Sequence, residues 1–313
     1  MIDYHLHYTG SLPHSYVFHN LTIQKPEFLV NNNINSAADL SVWINRQFSK
    51  NYIQNRVVFN KIYELFQSVS KPKDEASIVD TYKNGTYEIA NCVANNGIKK
   101  YAIVAGPTTE IKTTIDRYVG IIHGFKKSEI KYANIFGKII ITFIHGNDGK
   151  FKNLSDKLLC DIFDCIKNGT FANRIFGFDI SGYEYPDKEL LSDNINLIKK
   201  IININDKFGL NLDIGLHAGE IITTTQDDRN YDDYFTELSK LNINTIRHGT
   251  YLWHNNKRNI LQKFAGRTTF DLSSKSSVLL TPAKTIPLNL FNELGIDYRL
   301  GRDDPSILNN WQR

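Results

Sequence analysis

Short runs of apolar residues alternate along the chain with longer segments in which apolar residues recur every three or four positions. The short runs have the length of β-strands, and the longer segments have the periodicity of amphipathic helices. Strands that alternate with helices are typical of βαβ units and a parallel sheet. The pattern predicts eight strands: Ile2–His7, Lys100–Ala105, Lys138–Phe143, Ile175–Ile180, Leu212–Leu216, Thr245–His248, Thr268–Leu272 and Ile296–Leu300.

Eight such strands favour a closed barrel over an open sheet. Eight parallel strands, each followed by a helix, form the (β/α)8 or TIM barrel, which accommodates a chain of 313 residues as one domain. Residues 10–99 are too many for one crossover, so we predict a helical insertion, or lid, over residues 14–70. Few residues follow the eighth strand, which predicts a shortened C-terminal end. We therefore expect a single barrel domain over residues 1–313.

Composition and charge exclude several classes of protein. A net charge of +4 is compatible with an anionic substrate but gives no support for nucleic-acid binding. The three cysteines, Cys92, Cys160 and Cys165, lack C-x-x-C spacing and argue against a disulfide framework and a thiolate zinc site. No apolar run is long enough to span a membrane, and no leader is recognisable, so a cytoplasmic protein is expected.

Two histidines end the first predicted strand. His5 and His7 are two residues apart, so in a strand both imidazoles point to the same side, toward the barrel interior at its C-terminal mouth. Imidazole pairs of this kind suit zinc. The pair alone does not distinguish a zinc site from two ordinary strand histidines.

Further candidate ligands and proton-transfer groups follow other strands. His217 and Glu220 end the fifth strand, His248 ends the sixth, and Asp303 and Asp304 follow the eighth. A zinc hydrolase needs three or four ligands, an open position for water, and an acid or base nearby. A lone Asp-Asp-Pro is usually a turn or a helix N-cap. Because all these groups fall at the C-terminal ends of separate strands, together they predict a metal site at the mouth.

The chain resembles the adenosine/AMP deaminase family of metal-dependent barrels from residue 2 to residue 307. The stretches that carry the resemblance are His5–Ser11, Gly177–Glu184, His217–Glu220, His248–Gly249 and Asp303–Pro305. The combination of H-A-G-E and D-D-P behind an N-terminal H-x-H is specific. Many other barrel hydrolases bridge two metals with a lysine on the fourth strand, and the fourth predicted strand has none.

The resemblance implies a cofactor and a role for each site residue. One Zn²⁺ per chain would be held by His5, His7, His217 and Asp303. Asp304 and His248 would orient the water that attacks C6 of a purine, and Glu220 would protonate ring N1. The backbone N–H of Gly182 would donate to purine N3. The implied reaction is hydrolytic deamination to the inosine form with release of ammonia.

Two departures from the family pattern bear on the substrate. Thr9 stands where adenosine deaminases carry an aspartate that contacts the ribose 5′-hydroxyl, and a hydroxyl can donate to a 5′-phosphate that a carboxylate would repel. Lys275 stands where the family usually has an apolar residue. Both predict that AMP or dAMP is accepted. Arg247 and Arg302 replace small residues, and strand alternation is expected to turn both away from the barrel interior into structural ion pairs.

The leading hypothesis is therefore a zinc-dependent deaminase of an adenine nucleoside or nucleoside 5′-monophosphate, acting in purine metabolism. One alternative is another metal-dependent amidohydrolase that acts on a non-purine ring. A second is an inactive barrel used as a binding or scaffold subunit, which the complete set of ligand and proton-transfer residues disfavours. Because little chain follows Pro305, the apolar seam between the first and last strands also predicts a homo-oligomer.

Overall fold

The computed structural model of the chain describes residues 1–145, 151, 154–182, 188–220 and 228–311. Its centre is a sheet of eight parallel strands in sequential order, which confirms the predicted (β/α)8 barrel. The strands are β1 Ile2–His7, β2 Lys100–Ala105, β3 Phe136–His145, β4 Ile175–Gly182, β5 Asp213–Ala218, β6 Thr245–His248, β7 Thr269–Leu272 and β8 Tyr298–Leu300. Every observed strand end lies within two residues of its predicted position.

The barrel closes between β8 and β1 at the C-terminal mouth. Leu6 and Asp303 form a single parallel bridge. The amide of Asp303 donates to the His5 carbonyl at 2.7 Å, and the amide of His7 donates to the Asp303 carbonyl at 3.1 Å. The bonds that close the barrel therefore join two predicted metal-binding segments directly.

Apolar side chains fill the barrel interior below the mouth. Ala102, Val104 and Ile140 are buried there, and Tyr4 and Phe176 pack against them. The rings of Tyr4 and Phe176 lie 4.6 Å apart between centroids. This filled layer gives the polar residues above it a rigid base, because close-packed interiors resist deformation.

Thirteen α-helices lie between the strands in the described part of the chain. They are α1 His14–Gln24, α2 Pro26–Asn31, α3 Ala37–Gln47, α4 Tyr52–Ser70, α5 Ile78–Asn95, α6 Ile111–Lys131, α7 Asp156–Lys167, α8 Lys188–Phe208, α9 Asp228–Leu238, α10 Thr250–His254, α11 Arg258–Leu261, α12 Ser274–Leu280 and α13 Leu288–Glu293. None of these helices combines the length and the hydropathy of a membrane span.

The first four helices occupy the segment predicted as a helical insertion. Asn51 caps α4, because its side-chain oxygen accepts from the amides of Ile53 and Gln54. Ile62 and Phe66 lie on the buried face of α4. This face packs on the turn at Thr9–Ser11, directly after β1. The insertion thus begins at the metal-site end of β1 and returns over it.

The residues after β8 cover part of the seam between β8 and β1. Ile307 and Leu308 are fully buried in the single chain. The Trp311 indole N–H donates to the Ser306 hydroxyl at 2.8 Å, which fixes the turn. The sequence suggested that another subunit would cover this apolar seam. The chain itself supplies part of that cover.

Candidate metal centre

Four side chains that the sequence predicts as ligands converge at the mouth. The Nε2 atom of His217 lies 3.1 Å from His5 Nε2 and 3.0 Å from His7 Nε2. Oδ1 of Asp303 lies 3.4 Å from His5 Nε2 and 3.3 Å from His7 Nε2. His5, His217 and Asp303 are buried, and His7 is half-buried. Strands β1 and β5 and the segment after β8 thus present four ligand atoms to one point.

These separations fit a single metal ion. Four ligand atoms placed tetrahedrally at about 2.0–2.1 Å from a cation are separated from one another by about 3.4 Å. Three imidazoles and a carboxylate gathered so tightly without a cation would leave lone pairs facing one another. Burial and the neighbouring imidazole of His217 both lower the pKa of His7 well below its usual range. The deprotonated form that binds a metal is therefore the favoured one.

The Asp303 carboxylate is held in its ionised form. Burial alone would raise its pKa, but the surrounding imidazoles, with His5 first, outweigh burial and hold the pKa well below the ordinary value. Asp303 also adopts a left-handed backbone with φ of 66°. A non-glycine residue in this region costs about 1 kcal/mol or more and needs support from its surroundings. Here the closing hydrogen bonds to β1 provide that support.

His248 lies beside the four-residue cluster. Its Nε2 is 4.0 Å from Asp303 Oδ2, and its ring centroid is 5.1 Å from that of His5. Its backbone is also left-handed, with φ of 67°. Burial lowers the pKa of His248, so the neutral imidazole is favoured. His5, His217, His248 and Asp303 form one group of potential ligands, and His7 joins Asp303 and Asp304 in a second.

The outer nitrogen of His217 contacts a buried carboxylate that the sequence analysis did not single out. His217 Nδ1 lies 2.8 Å from Asp179 Oδ2 on β4. Arg247 Nη1 donates to the other oxygen, Asp179 Oδ1, at 2.8 Å. Burial alone would raise the pKa of Asp179, but Arg247 and His217 reverse this, so its pKa is lowered. Asp179 thus remains anionic and can orient the His217 ring, as outer carboxylates do at metal sites.

The expected orientation of Arg247 is wrong, although its structural ion pair is present. The guanidinium points into the barrel, where it contacts Asp179 and leaves no room for a side chain at Gly215. Thr245, two residues earlier, faces the same interior and contacts Arg299. Strand alternation therefore turns Arg247 inward, and the left-handed backbone of His248 brings the next side chain to the mouth as well.

Arg302 follows the expectation for a structural pair. Its Nη1 donates to Asp3 Oδ2 at 2.9 Å, and its Nε donates to the Trp311 carbonyl at 3.3 Å. Both partners lie at the seam between β8 and β1. The guanidinium is 1% exposed, so it stabilises the seam and does not reach a substrate.

His5 has a carboxylate behind it too. Its Nδ1 lies 3.7 Å from Asp271 Oδ1 on β7, and Arg299 Nε donates to Asp271 Oδ2 at 2.9 Å. Burial alone would raise the pKa of Asp271, but His5 and the nearby arginines lower it. His5 and His217 therefore share one design, in which an arginine-paired carboxylate lies behind the imidazole.

The predicted proton-transfer carboxylates lie beside the cluster. Asp304 is buried, and burial together with Asp303 and Glu220 raises its pKa well above the ordinary value. Its side chain occupies the space that a side chain at Gly10 would need. Glu220 is half-buried two residues beyond β5 and interacts electrostatically with Asp304, His217 and His248. Both carboxyl groups therefore face the cluster.

Thr9, a predicted substrate contact, lies under the helical insertion. Thr9 is buried beneath α4, next to Tyr63. Burial and Asp304 raise the pKa of the Tyr63 phenol to about 12, while Thr9 and Arg117 lower it. These interactions place the phenol among Thr9, Asp304 and Arg117. Tyr63 could not be singled out from the sequence, because its spacing within the predicted helical insertion is that of a packing residue.

Gly182 and Lys275 make no contact with the cluster in the part of the chain that the structure describes. Gly182 ends β4 with φ of 107°, and a Cβ atom there would meet the His145 carbonyl at 2.6 Å, so only glycine fits. Tyr183 and Glu184, the last residues of the stretch that resembles the family, lie outside the described residues. Lys275 is exposed on α12, and no contact joins it to the cluster within the described part of the chain.

The fold and the cluster define a class: a (β/α)8 barrel with a His/Asp group suited to a metal at its mouth. No family model and no curated protein sequence matches the chain. Solved structures do. Adenine deaminase from Arthrobacter aurescens is 16% identical with a TM-score of 0.64, over 98% of this chain and 83% of that one. N6-methyl-AMP deaminase from Arabidopsis thaliana is 14% identical with a TM-score of 0.65, over 98% and 81%.

Two further similar structures contain bound groups. An amidohydrolase from Burkholderia ambifaria with bound zinc is 15% identical with a TM-score of 0.65, over 98% of this chain and 76% of that one. Arabidopsis ADAL in complex with IMP is 14% identical with a TM-score of 0.66, over 98% and 82%. Adenine deaminase and N6-methyl-AMP deaminase are thus structural neighbours of this chain, and at such identities the likeness shows the shared fold.

Proposed function

We propose that this protein is a metal-dependent hydrolase that removes the 6-amino group of an adenine nucleoside or nucleoside 5′-monophosphate. The products would be the inosine form and ammonia. The observation that carries the proposal is the grouping of the ligand cluster with Glu220, His248 and Asp304 at one barrel mouth. A binding or scaffold barrel would have no need of three proton-transfer groups beside a metal site.

The proposed cofactor is one Zn²⁺ per chain, held by His5, His7, His217 and Asp303. Three imidazoles and a carboxylate are a donor set that zinc accepts. A bound Zn²⁺ would acidify water and so supply the nucleophile at neutral pH. The zinc bound to a structural neighbour supports this choice of metal.

The chain's own residues supply the remaining chemistry. Asp304 and His248 flank the cluster and would orient the attacking water toward C6 of the purine. Glu220, which interacts electrostatically with His248 and Asp304, would deliver a proton to ring N1, which makes C6 electrophilic. Gly182 would place its backbone N–H against purine N3, where the absence of a side chain permits close approach. The ammonia leaves when the C6–N6 bond breaks.

The names of the structural neighbours support the purine as substrate. One is an adenine deaminase, one is an N6-methyl-AMP deaminase, and one was solved with IMP. We favour AMP or dAMP over the free nucleoside, because a threonine hydroxyl at position 9 can donate to a phosphate. Lys275 is a second candidate contact for the phosphate.

We also propose purine metabolism as the setting and a homo-oligomer as the assembly.

The test is a substrate panel with metal-loaded protein. Adenine, adenosine, deoxyadenosine, AMP and dAMP are incubated separately, and ammonia release is measured beside the ultraviolet change from adenine to hypoxanthine. We expect turnover of at least one adenine compound, with AMP or dAMP the best. If none is turned over while one metal ion is bound per chain, the proposal of a purine substrate is refuted. A non-purine ring would then be favoured as the substrate.

A further inference from the structure

An arginine near the mouth has no carboxylate partner among the described residues. Arg117 lies on α6, and its Nη1 donates to the Gly106 carbonyl at 2.6 Å. No carboxylate of the described residues lies within 4.0 Å of its guanidinium, whereas Arg174, Arg247, Arg299 and Arg302 all pair with one. A half-buried arginine without a counter-ion is costly unless another anion satisfies it.

Two contacts hold this guanidinium in place. Besides the bond to Gly106, its Cζ lies 4.7 Å from the centroid of the Tyr82 ring, a distance suited to a cation–π contact. Its Nε is sealed from solvent and makes no hydrogen bond. Its Nη2 also makes no hydrogen bond to the described residues, but it is not sealed in this way. The group is therefore preorganised and has donors to spare.

The position of Arg117 faces the segment after β1. Gly106 follows β2, which pairs with β1 in a register that sets Val104 beside His7. The amide of Tyr8 donates to the Val104 carbonyl at 3.0 Å, and the rings of Tyr8 and Tyr82 lie 5.0 Å apart. Arg117 is thus joined through Tyr82 and Tyr8 to the residue before Thr9, and it also acts on the Tyr63 phenol beside Thr9.

We propose that Arg117 binds the phosphate of a nucleoside 5′-monophosphate and makes the site selective for the nucleotide over the nucleoside. This inference rests on the proposed function, whose purine chemistry it extends to the phosphate end of the substrate. Arginine suits the role because its planar fork can donate two parallel hydrogen bonds to a phosphate. Thr9 and Tyr63 would add hydroxyl donors on the β1 side. Lys275, exposed on α12, would then contribute little.

The binding of IMP and inosine, the products expected from AMP and adenosine, tests the role of Arg117 without catalysis. Dissociation constants of IMP and inosine are measured by calorimetry for wild type, Arg117→Gln and Arg117→Lys, with Lys112→Gln as the matched control. Lys112 is exposed on the same helix, and among the described residues it pairs with exposed Glu75. We expect Arg117→Gln to weaken IMP about 10- to 100-fold, the range for a hydrogen bond to a charged group. Inosine affinity should stay within about twofold.

The lysine variant protects the test from a folding artefact. If Arg117→Gln unfolds, Arg117→Lys still tests the proposal, because it keeps the charge but loses the planar fork. It should weaken IMP binding by a smaller factor and leave inosine affinity unchanged.

Three results would overturn the proposal: equal loss of affinity for both ligands, no loss for either, or loss of the IMP preference in Lys275→Ala instead. If adenosine is deaminated while wild type binds IMP no better than inosine, only the phosphate site fails. If IMP is preferred but no adenine compound is deaminated, only the proposed reaction fails.

Discussion

The metal side of the barrel mouth and the rim that would hold the rest of a substrate are built differently. On the metal side, His5, His217 and Asp303 are buried, and the two imidazoles have arginine-paired carboxylates behind them. At the rim, Thr9 and Arg117 come from a turn and a helix, and Lys275 projects into solvent. On the metal side the arginines Arg247 and Arg299 pair with carboxylates, whereas at the rim Arg117 has no carboxylate partner among the described residues.

The difference follows from what each side has to do. Ligands of a metal must be fixed within a few tenths of an ångström, so they lie on strand ends above a packed interior and are oriented from behind. Groups that select a substrate act on a variable part of the ligand, and these come from the loops and inserted helices. Changes on the metal side should therefore abolish the reaction, whereas changes at the rim should alter its preference.

The largest effect is expected from removing a ligand. His217→Ala should lose tightly bound metal and essentially all turnover, because it removes one of the four proposed ligands. It also removes the imidazole that contacts the Asp179 carboxylate beside Arg247. Metal content by elemental analysis and ammonia release from AMP measure the two losses. His254→Ala, an exposed histidine on α10, is the control and should retain both. A His217→Ala protein with a full complement of metal would show that the cluster is not the binding site.

Glu220→Gln should separate chemistry from binding on the metal side. The amide cannot deliver the N1 proton, so kcat should fall about 10²- to 10⁴-fold, the usual contribution of general acid catalysis. Metal content and IMP affinity should be unchanged. Glu64→Gln, exposed on α4, provides the control. Near-normal kcat in Glu220→Gln would remove this carboxyl from the mechanism.

Asp179→Asn tests whether the carboxylate behind His217 matters. The substitution removes the charge that orients the imidazole and leaves Arg247 buried without its partner. Metal affinity should fall about 10- to 100-fold, as is typical for outer contacts of metal ligands. Asp213→Asn is a matched control, since Asp213 also lies on a barrel strand and bonds Thr245 rather than a histidine. Equal metal affinities in the two variants would reduce Asp179 to a packing role.

The smallest effect is expected at the rim. Thr9→Asp would place a carboxylate where a phosphate is proposed to lie, so kcat/KM for AMP should fall about tenfold or more relative to adenosine, a change of roughly 1.4 kcal/mol. Thr9→Ser keeps the hydroxyl and should keep the preference. If Thr9→Asp leaves the ratio of AMP to adenosine unchanged, the phosphate does not approach this residue.

This contrast also explains what the sequence could predict. The positions of His5, His7, His217 and Asp303 follow from strand ends, because the carboxyl ends of barrel strands meet at one mouth. The carboxylate behind His217 was missed, since an aspartate inside an apolar strand carries no signal of its partner. The inward orientation of Arg247 was missed because the left-handed backbone at His248 is invisible to a pattern of alternation. Arg117 resembles any polar residue on a helix, and its contacts with Gly106 and Tyr82 are visible only in the fold.

A zinc titration of metal-free protein tests the proposed chemistry most directly. Ammonia release from AMP is followed as zinc is added, and bound metal is measured in the same samples. We predict that turnover rises in proportion to bound zinc and reaches its maximum at one ion per chain, and that Glu220→Gln binds the same amount without turnover. Full turnover in the metal-free protein, or one zinc bound per chain with no deamination of any adenine compound, would contradict the proposed metal-dependent deaminase.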